Sequence, residues 1–353
     1  MFRLIREWPW KTIRFLNQTP TFNFTKSNVP MNPPLPSPWL HRFAWLIATL
    51  TLLLPVTTGA IVTTLKAGMV FADWPSSDGY NMLAYPWLSS ARDQFVEHGH
   101  RLAGMVIGLL SLSLVVAAWL LDTRRPVRIV ALLIFLAVFA QGMLGGARVL
   151  LDQQTLALLH GDFAALVFSL MAILILITGN GWDQRDRFKS DADSKFVTFA
   201  ANILLISLMA QYVMGGFLRH LRERDEFAWA WMVHPWFAVV VLAATGFLVW
   251  STRGMESTYL RRFSFAMITL TLLQSLVGLG TWYVRYGIPS WGVVAQQDSL
   301  PQIVICSLHK VIGLLTLMTS VLAVVCCRSL RPLGEDRRAM LPPVGRPVTG
   351  VAT

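Results

Sequence analysis

Charged residues are scarce in this 353-residue chain, at 14% of the total, whereas about a quarter of a typical soluble domain is charged. The few charges are grouped in short segments, and the intervals between them are apolar runs of about 20 residues, which is enough to cross a bilayer. This pattern excludes a soluble enzyme and a fibrous protein. It predicts a polytopic membrane protein.

Cysteine is also rare. The three cysteines, Cys306, Cys326 and Cys327, lie in or at the end of the last apolar run. None of them forms a pair in a polar loop, where a disulfide could be built. We therefore expect small, buried apolar side chains rather than a disulfide framework.

Basic residues exceed acidic ones, giving a net charge of +11. In a membrane protein this excess reflects orientation, because Lys and Arg accumulate on cytoplasmic loops, and we expect no nucleic-acid partner. Twenty-one basic residues fall in the regions assigned to the inner side. Seven fall in those assigned to the outer side, namely Lys66, Arg92, Arg148, Arg219, Arg222, Arg224 and Arg285. Both termini are thus predicted to lie inside, which requires an even number of spans.

The hydropathy pattern predicts an all-α membrane protein with eight transmembrane helices, because a helix satisfies its own backbone hydrogen bonds in lipid. The short links 122–126 and 151–155 force neighbouring helices to pack antiparallel. The predicted spans are 43–66, 98–121, 127–150, 156–178, 195–217, 231–251, 262–284 and 302–327.

The segments outside the spans are predicted to be two tails and a linker. Residues 1–42 form an N-terminal tail on the cytoplasmic side, 179–194 an inner linker and 328–353 a disordered C-terminal tail. The first tail fits an organellar targeting peptide, an amphipathic segment on the membrane surface, or a stretch preceding a true start at Met31. The sequence leaves these three alternatives open.

Four of the seven histidines recur at equivalent positions. His41 precedes span 1, His98 lies at the start of span 2 and His220 falls in an outer loop, so we assign these three no ligand role. The other four lie near the outer ends of the even-numbered spans and therefore at similar depth: His100, His160, His234 and His309.

A single intramembrane histidine is as compatible with packing as with metal binding, but four at one depth indicate function. A neutral imidazole is a common axial haem ligand. Zinc would require more ligands on one centre, and copper would usually add Cys or Met. The sequence therefore predicts haem ligation.

An internal repeat accompanies these histidines. A Gln-x-x-x-Gly pattern begins at Gln141, Gln211 and Gln274, and Thr57-Thr58-Gly59 is a degenerate version in span 1. The pattern is typical of helix packing through small residues, and small residues also leave room beside a porphyrin. We predict two pseudo-symmetric four-helix bundles, 43–178 and 195–327, in which His100 pairs with His160 and His234 with His309.

The two halves differ in one acidic residue. Glu97 lies three residues before His100 and so on the same helix face, whereas the corresponding position in the second half is Trp231. This difference favours chemistry in the first half and electron storage or a structural role in the second. The alternative for Glu97 is an exposed acid near a helix start. Asp73-Trp74-Pro75, in the first outer loop, is either an interfacial anchor or a lid.

Together, these residues resemble the haem A synthase family. Glu97-His98-Gly99-His100-Arg101 is similar to its Glu-x-x-His-Arg motif, and the resemblance extends over about residues 43–327. It implies oxidation of haem O to haem A. The methyl group at ring position 8 would become a formyl group by successive hydroxylations, for use by haem–copper terminal oxidases.

The resemblance also implies a role for each site residue. His100 and His160 would bracket the substrate haem O, Glu97 would be the catalytic carboxylate, and His234 and His309 would ligate a haem b, so that all four histidines are axial ligands of haem iron. Some branches of the family carry a cysteine pair in the first outer loop. Residues 67–96 contain no cysteine, so any mechanism that depends on those thiols does not carry over.

The expected partners are a haem O synthase that hands over the substrate, an electron-transfer partner and the lipid bilayer, and a homo-oligomer stays open. We favour a bacterial plasma membrane over a mitochondrial inner membrane, because Trp8 and Trp10 make residues 1–42 a poor presequence. Two other functions stay open, a dihaem b-type electron carrier without haem-modifying activity and a transporter built from repeated halves.

Overall fold

The structure is a computed structural model that describes residues 37–180, 182, 191–221, 224–253 and 258–329. All of these belong to one unit, residues 34–353. Eight helices in the described ranges are long and apolar enough to cross a membrane, and the only β-type pairings there are two isolated bridges. The all-α membrane fold is thereby confirmed. The predictions about residues 1–36, 183–190 and 330–353, including the choice of start, lie outside the described residues.

The helices correspond one to one with the predicted spans, and we number them accordingly. Helices 2, 3, 4 and 6 end at the predicted residues 121, 150, 178 and 251. Their bounds are helix 1, Pro38–Thr64; helix 2, Arg92–Leu121; helix 3, Arg125–Leu150; helix 4, Gln154–Thr178; helix 5, Asp191–His220; helix 6, Ala230–Ser251; helix 7, Thr258–Tyr286; and helix 8, Leu300–Ser329.

The predicted start of helix 2, at residue 98, is wrong by six residues. The helix begins at Arg92, and Asp93 lies in its first turn, where an acid interacts favourably with the helix dipole. The hydropathy pattern missed this turn because it is polar. As a result Glu97, His98 and His100 lie inside the helix rather than at its start.

Helix 1 contains a wide turn around Pro55. Residues Leu52–Val56 are π-helical, between the α-helical segments Pro38–Thr51 and Thr57–Thr64. Proline has no backbone N–H, so carbonyl groups near it lose their usual partner. Thr57 Oγ1 donates to the carbonyl of Leu52 at 2.7 Å, and Thr58 Oγ1 donates to that of Leu54 at 2.7 Å. The helix therefore crosses this region without breaking.

The helices pack as two cycles of neighbours. Helices 1 to 4 contact one another in chain order, with helix 4 returning to helix 1, and helices 5 to 8 do the same. Helices 1 and 4 also contact helix 8, and helix 4 contacts helix 5. About half of the central part of helices 4 and 8 is buried, against less than a third in each of the others. Helices 4 and 8 are therefore the central pair, while the pseudo-two-fold relation and the inner location of both termini stay predictions.

We expect the buried side chain of Leu174, in helix 4, to contribute to the stability of the core. Leu174 is 0% exposed there, whereas Leu120 of helix 2 is 78% exposed. Replacing Leu174 by Ala leaves a cavity and should lower the free energy of unfolding by about 2 kcal/mol. Part of the usual cost is absent, because lipid tails are as apolar as leucine.

Thermal unfolding of the purified protein in detergent measures this difference, with Leu120→Ala as the matched control. The control should leave the unfolding temperature nearly unchanged. Equal shifts in the two variants would contradict the assigned packing.

Candidate functional site

The four histidines predicted to be ligands form two facing pairs in the structure. His100 of helix 2 faces His160 of helix 4, with ring centroids 6.2 Å apart and ring planes at 85°. His234 of helix 6 faces His309 of helix 8, with centroids 6.3 Å apart and planes at 86°. The two pairs therefore have almost the same geometry.

This spacing suits one iron atom between each pair of rings. Metal–imidazole bonds are about 2 Å long, so two rings on opposite sides of one iron have their centroids about 6 Å apart. In the first pair, Nδ1 of His100 lies 3.1 Å from Thr58 Oγ1 and Nδ1 of His160 lies 3.1 Å from the carbonyl oxygen of Gln141, which leaves Nε2 of both rings for iron. The described residues contain no group of three or more His, Cys, Asp or Glu that could hold a metal ion. The side chains thus fit haem iron with two axial imidazoles.

Each histidine ring lies against a glycine of the preceding odd-numbered helix. A Cβ atom on Gly59 would lie 2.8 Å from Cε1 of His100, which is closer than real Cβ atoms come. The same distance is 3.1 Å for three further pairs, Gly145 with His160, Gly215 with His234, and Gly278 with His309. The absence of a side chain at these positions therefore sets where each ring can lie.

The glutamines of the repeated pattern tie the odd-numbered helices to the even ones. Gln141 Nε2 donates to the carbonyl oxygen of His160 at 2.8 Å, and Gln211 Nε2 donates to that of His234 at 3.0 Å. Such amide bonds between helices stabilise packing within a membrane. The Gln-x-x-x-Gly pattern therefore has two roles. The glutamine links neighbouring helices, and the glycine leaves room for the histidine ring.

Each histidine pair borders a cavity. The first cavity has a volume of about 570 Å³ and contains the rings of His100 and His160 in its wall. The second cavity has a volume of about 400 Å³ and is bordered by His234 and His309. Small-molecule and cofactor sites commonly fall in the range of about 300–1,000 Å³.

Glu97 is a buried residue in the wall of the first cavity, with 1% of its surface exposed. Its Oε1 accepts a hydrogen bond from Arg101 at 2.8 Å, and its Oε2 accepts from the backbone N–H groups of Val70 at 2.8 Å and Phe71 at 3.4 Å. The alternative of an exposed helix-start acid is therefore wrong. Glu97 therefore joins helix 2 to the first outer loop. Its counterpart in the second half, Trp231, is not buried but 41% exposed.

The first outer loop, residues 65–91, closes over this cavity. Arg101 donates to the carbonyl oxygens of Asp73 at 2.9 Å and Ser76 at 2.8 Å. Trp74 borders the cavity and covers Gly146 of helix 3 so closely that a Cβ there would overlap the indole. This position favours the lid over the interfacial anchor as the interpretation of Asp73-Trp74-Pro75.

Asp73 stabilises the turn that follows Trp74. Its carboxylate accepts hydrogen bonds from the backbone N–H groups of Asp78 at 3.0 Å and Gly79 at 2.9 Å. Partial burial raises the pKa of Asp73, but bonds from Ser76, Gly79 and Asp78 outweigh it and hold the pKa below its ordinary value. The carboxylate is therefore charged at neutral pH, the state that binds the turn best.

The three histidines to which we assign no ligand role have defined positions. His98 is buried, its Nδ1 lies 3.0 Å from Ser77 Oγ, and its ring packs against Tyr85 with centroids 4.7 Å apart, so it anchors the outer loop. His41 belongs to helix 1, and its Nδ1 lies 3.0 Å from Thr178 Oγ1 of helix 4. The placement of His220 in an outer loop is wrong, because helix 5 continues to this residue and His220 borders both cavities.

The three cysteines, Cys306, Cys326 and Cys327, all lie in helix 8 and are buried. Their burial agrees with the expectation of small, buried apolar side chains. Cys306 also borders the second cavity, which the sequence did not indicate. Lys310, next to His309, borders both cavities. A cation inside a predicted span is itself a signal of function, and that signal was overlooked.

Comparisons with known proteins find one matching family and several similar proteins. The profile of one family, COX15-CtaA, described as a cytochrome oxidase assembly protein, matches residues 45–232. A protein named "Heme A synthase" from an Exiguobacterium species is 23% identical over 256 residues, which are 68% of this chain and 81% of that protein.

Two further proteins of the same name align over shorter segments. The one from Symbiobacterium thermophilum is 30% identical over 189 residues, covering 51% of this chain and 59% of its own length. The one from Halalkalibacterium halodurans is 28% identical over 144 residues, covering 39% and 47% respectively. In both cases the chain matches about half of the relative.

We expect the histidine–glycine contacts to control haem occupancy. In Gly278→Val the new side chain displaces the ring of His309, and haem occupancy of the second cavity should fall about tenfold, as for other changes that misorient metal ligands. Gly246→Val on helix 6 is the matched control, because a Cβ there meets nothing within 4 Å. The Soret absorbance per protein in purified samples measures the effect. Equal haem content in both variants would refute it.

Proposed function

Because the chain belongs to the COX15-CtaA family of cytochrome oxidase assembly proteins, we propose that it is a membrane-bound haem A synthase. In this proposal it oxidises the C8 methyl group of haem O to a formyl group by successive hydroxylations and supplies haem A to haem–copper terminal oxidases. The observation that carries the proposal is a facing pair of histidines in a large intramembrane cavity that has a buried carboxylate in its wall. The relatives named "Heme A synthase" support it.

We assign the substrate to the first cavity and haem b to the second. His100 and His160 would hold haem O, and His234 and His309 would hold haem b. Two differences support this division. The first cavity is the larger, at about 570 against 400 Å³, which suits the farnesyl-bearing substrate, and only the first has Glu97 and the Trp74 lid.

Glu97 has two roles in the proposed reaction. Through Val70, Phe71 and Arg101 it holds the outer loop over the cavity, which would enclose the reacting methyl group. Oxidation of a C–H bond releases a proton, and a carboxylate in the cavity wall can accept it. The oxygen atom added to the methyl group would come from dioxygen or from water, and the proposal leaves both sources open.

The second cavity would serve electron transfer. Haem b bound there would supply one-electron redox chemistry, and His234 and His309 would hold it. We propose an external electron-transfer partner, a haem O synthase as the substrate donor, and the plasma membrane of a bacterium as the location. Bacterial relatives and eight membrane-crossing helices support the last of these.

The near-equality of the two histidine pairs, at 6.2 and 6.3 Å, favours one alternative, a dihaem b-type electron carrier. Mass analysis of haem extracted after expression with a haem O source separates the two functions. A synthase yields formyl or hydroxymethyl haem, whereas a carrier yields haem b alone.

We predict that Glu97→Gln stalls conversion at haem O or a hydroxylated intermediate. General acid–base groups commonly contribute about 100-fold or more to rate, so haem A formation should fall by at least that factor. Asp93→Asn, an exposed acid one turn earlier in helix 2, is the matched control and should retain wild-type output. Chromatography of extracted haems measures both. Normal haem A accumulation in Glu97→Gln would rule out the assigned role.

Substituting the histidines should separate the two cavities. We expect His234→Ala to lose haem b and His100→Ala to keep it, because the two side chains belong to different ligand pairs. Pyridine haemochrome assays on the purified variants give the haem b content per chain. Loss of haem b in His100→Ala but not in His234→Ala would reverse the division of labour.

A further inference from the structure

Charged side chains collect between the two cavities, where helices 4, 5 and 8 meet. A Cβ atom on Gly161 of helix 4 would lie 3.3 Å from His220 Nε2 and 3.5 Å from Lys310 Nζ. A Cβ atom on Gly216 of helix 5 would lie 2.9 Å from a carboxylate oxygen of Asp162, which follows Gly161 in helix 4. His220 and Lys310 border both cavities, so one group of residues serves the two sites.

Cations outnumber acids in the walls of the two cavities. The acids are Glu97 and Asp162, and the cations are Arg101, Arg148, Arg219, Arg285 and Lys310. Arg101 is paired with Glu97 at 2.8 Å. In the part of the chain that the structure describes, none of the other four cations has an acid within 4 Å. We call these four, Arg148, Arg219, Arg285 and Lys310, the junction cations.

Among the described residues, the junction cations make no direct ion pair, because Asp162 acts on Lys310 and Arg219, and Glu97 acts on Arg148, only from beyond 4 Å. Arg148 is 7% exposed, borders the first cavity, and its Nε has no hydrogen-bond partner. Arg219 donates to the carbonyl oxygen of Ala60 at 3.1 Å, which is a neutral partner. An unpaired charge in such a place is costly, so the arrangement calls for anionic groups from a ligand.

We propose that the junction cations bind the carboxylate groups of tetrapyrroles in the two cavities. Arg148 and Lys310 would bind those of the ligand in the first cavity, and Arg219, Arg285 and Lys310 those of the ligand in the second. The planar guanidinium group matches a carboxylate through two parallel hydrogen bonds. The inference rests on the proposed function, because that proposal places a tetrapyrrole in each cavity.

A carboxylated ring fits these cavities better than a small inorganic anion. The remaining walls are largely apolar, with Leu, Val, Phe and Met side chains in the first cavity and Leu, Val, Ala and Trp side chains in the second. A tetrapyrrole has both parts, a flat apolar macrocycle and carboxylates at one edge. Binding that edge at the junction would fix the orientation of each ring about the axis through its two histidines.

Esterification of the ligand tests the proposal without altering the protein. Full-length protein purified from haem-deficient cells is titrated with ferric protohaem and with its dimethyl ester, and the Soret shift is followed. We expect the free acid to bind about tenfold to a hundredfold more tightly, as for hydrogen bonds to charged groups. Equal affinity with a low-spin spectrum would overturn the carboxylate assignment and leave histidine ligation intact. No Soret shift with either compound would instead contradict the proposed function.

A charge-removing variant locates the effect. Lys310→Gln should weaken binding of the free acid about tenfold and leave binding of the ester unchanged. The control is Arg261→Gln, an exposed cation of helix 7, which should leave both affinities unchanged. An equal loss for acid and ester in Lys310→Gln would show a structural role and refute the inference. If this variant does not fold, the comparison of acid and ester in the wild-type protein still decides.

Discussion

The close contact between four histidine rings and four glycines is the constraint on which the rest of the site depends. An imidazole inside a membrane needs a fixed position, and here a missing side chain on the neighbouring helix provides it. The rings of each pair then face each other at 6.2 or 6.3 Å. The glutamine one turn before two of these glycines bonds to the backbone of the same histidine, so helix spacing and ring position are set together.

The difference between the two halves arises from the first outer loop and from the residues of helix 2 that hold it. In the first half, the loop 65–91 is bound to helix 2 through Glu97 and Arg101, and Trp74 reaches the cavity. A buried carboxylate is stable there because it has an arginine and two backbone N–H groups as partners. In the second half, Trp231 occupies the position of Glu97 and is partly exposed. Similar helical frames thus present two chemically different cavities.

Much of this could be predicted from the sequence. Eight spans followed from hydropathy, and the histidine pairs followed from equal depth on alternate helices. The start of helix 2 could not be predicted, because its first turn is polar and hydropathy does not distinguish a polar helical turn from a loop. The position of His220 was missed for the same reason, since the last residues of helix 5 are polar.

The junction cations were missed for another reason. Arg148, Arg219 and Arg285 were counted as outer-side charges that report orientation. Each lies near the outer end of a helix and also turns toward a cavity. A sequence gives the depth of such a residue but not the direction of its side chain, and only the packed helices show which charges face inward.

Electron paramagnetic resonance of the oxidised, haem-containing protein tests the central claim most directly. Two axial imidazoles impose a strong ligand field on ferric iron, so the protein should give a low-spin signal that disappears when His100 and His234 are both replaced by Ala, because one ligand is then missing from each pair. A high-spin signal from the wild-type protein, or a low-spin signal that persists in that variant, would contradict ligation by the facing histidines.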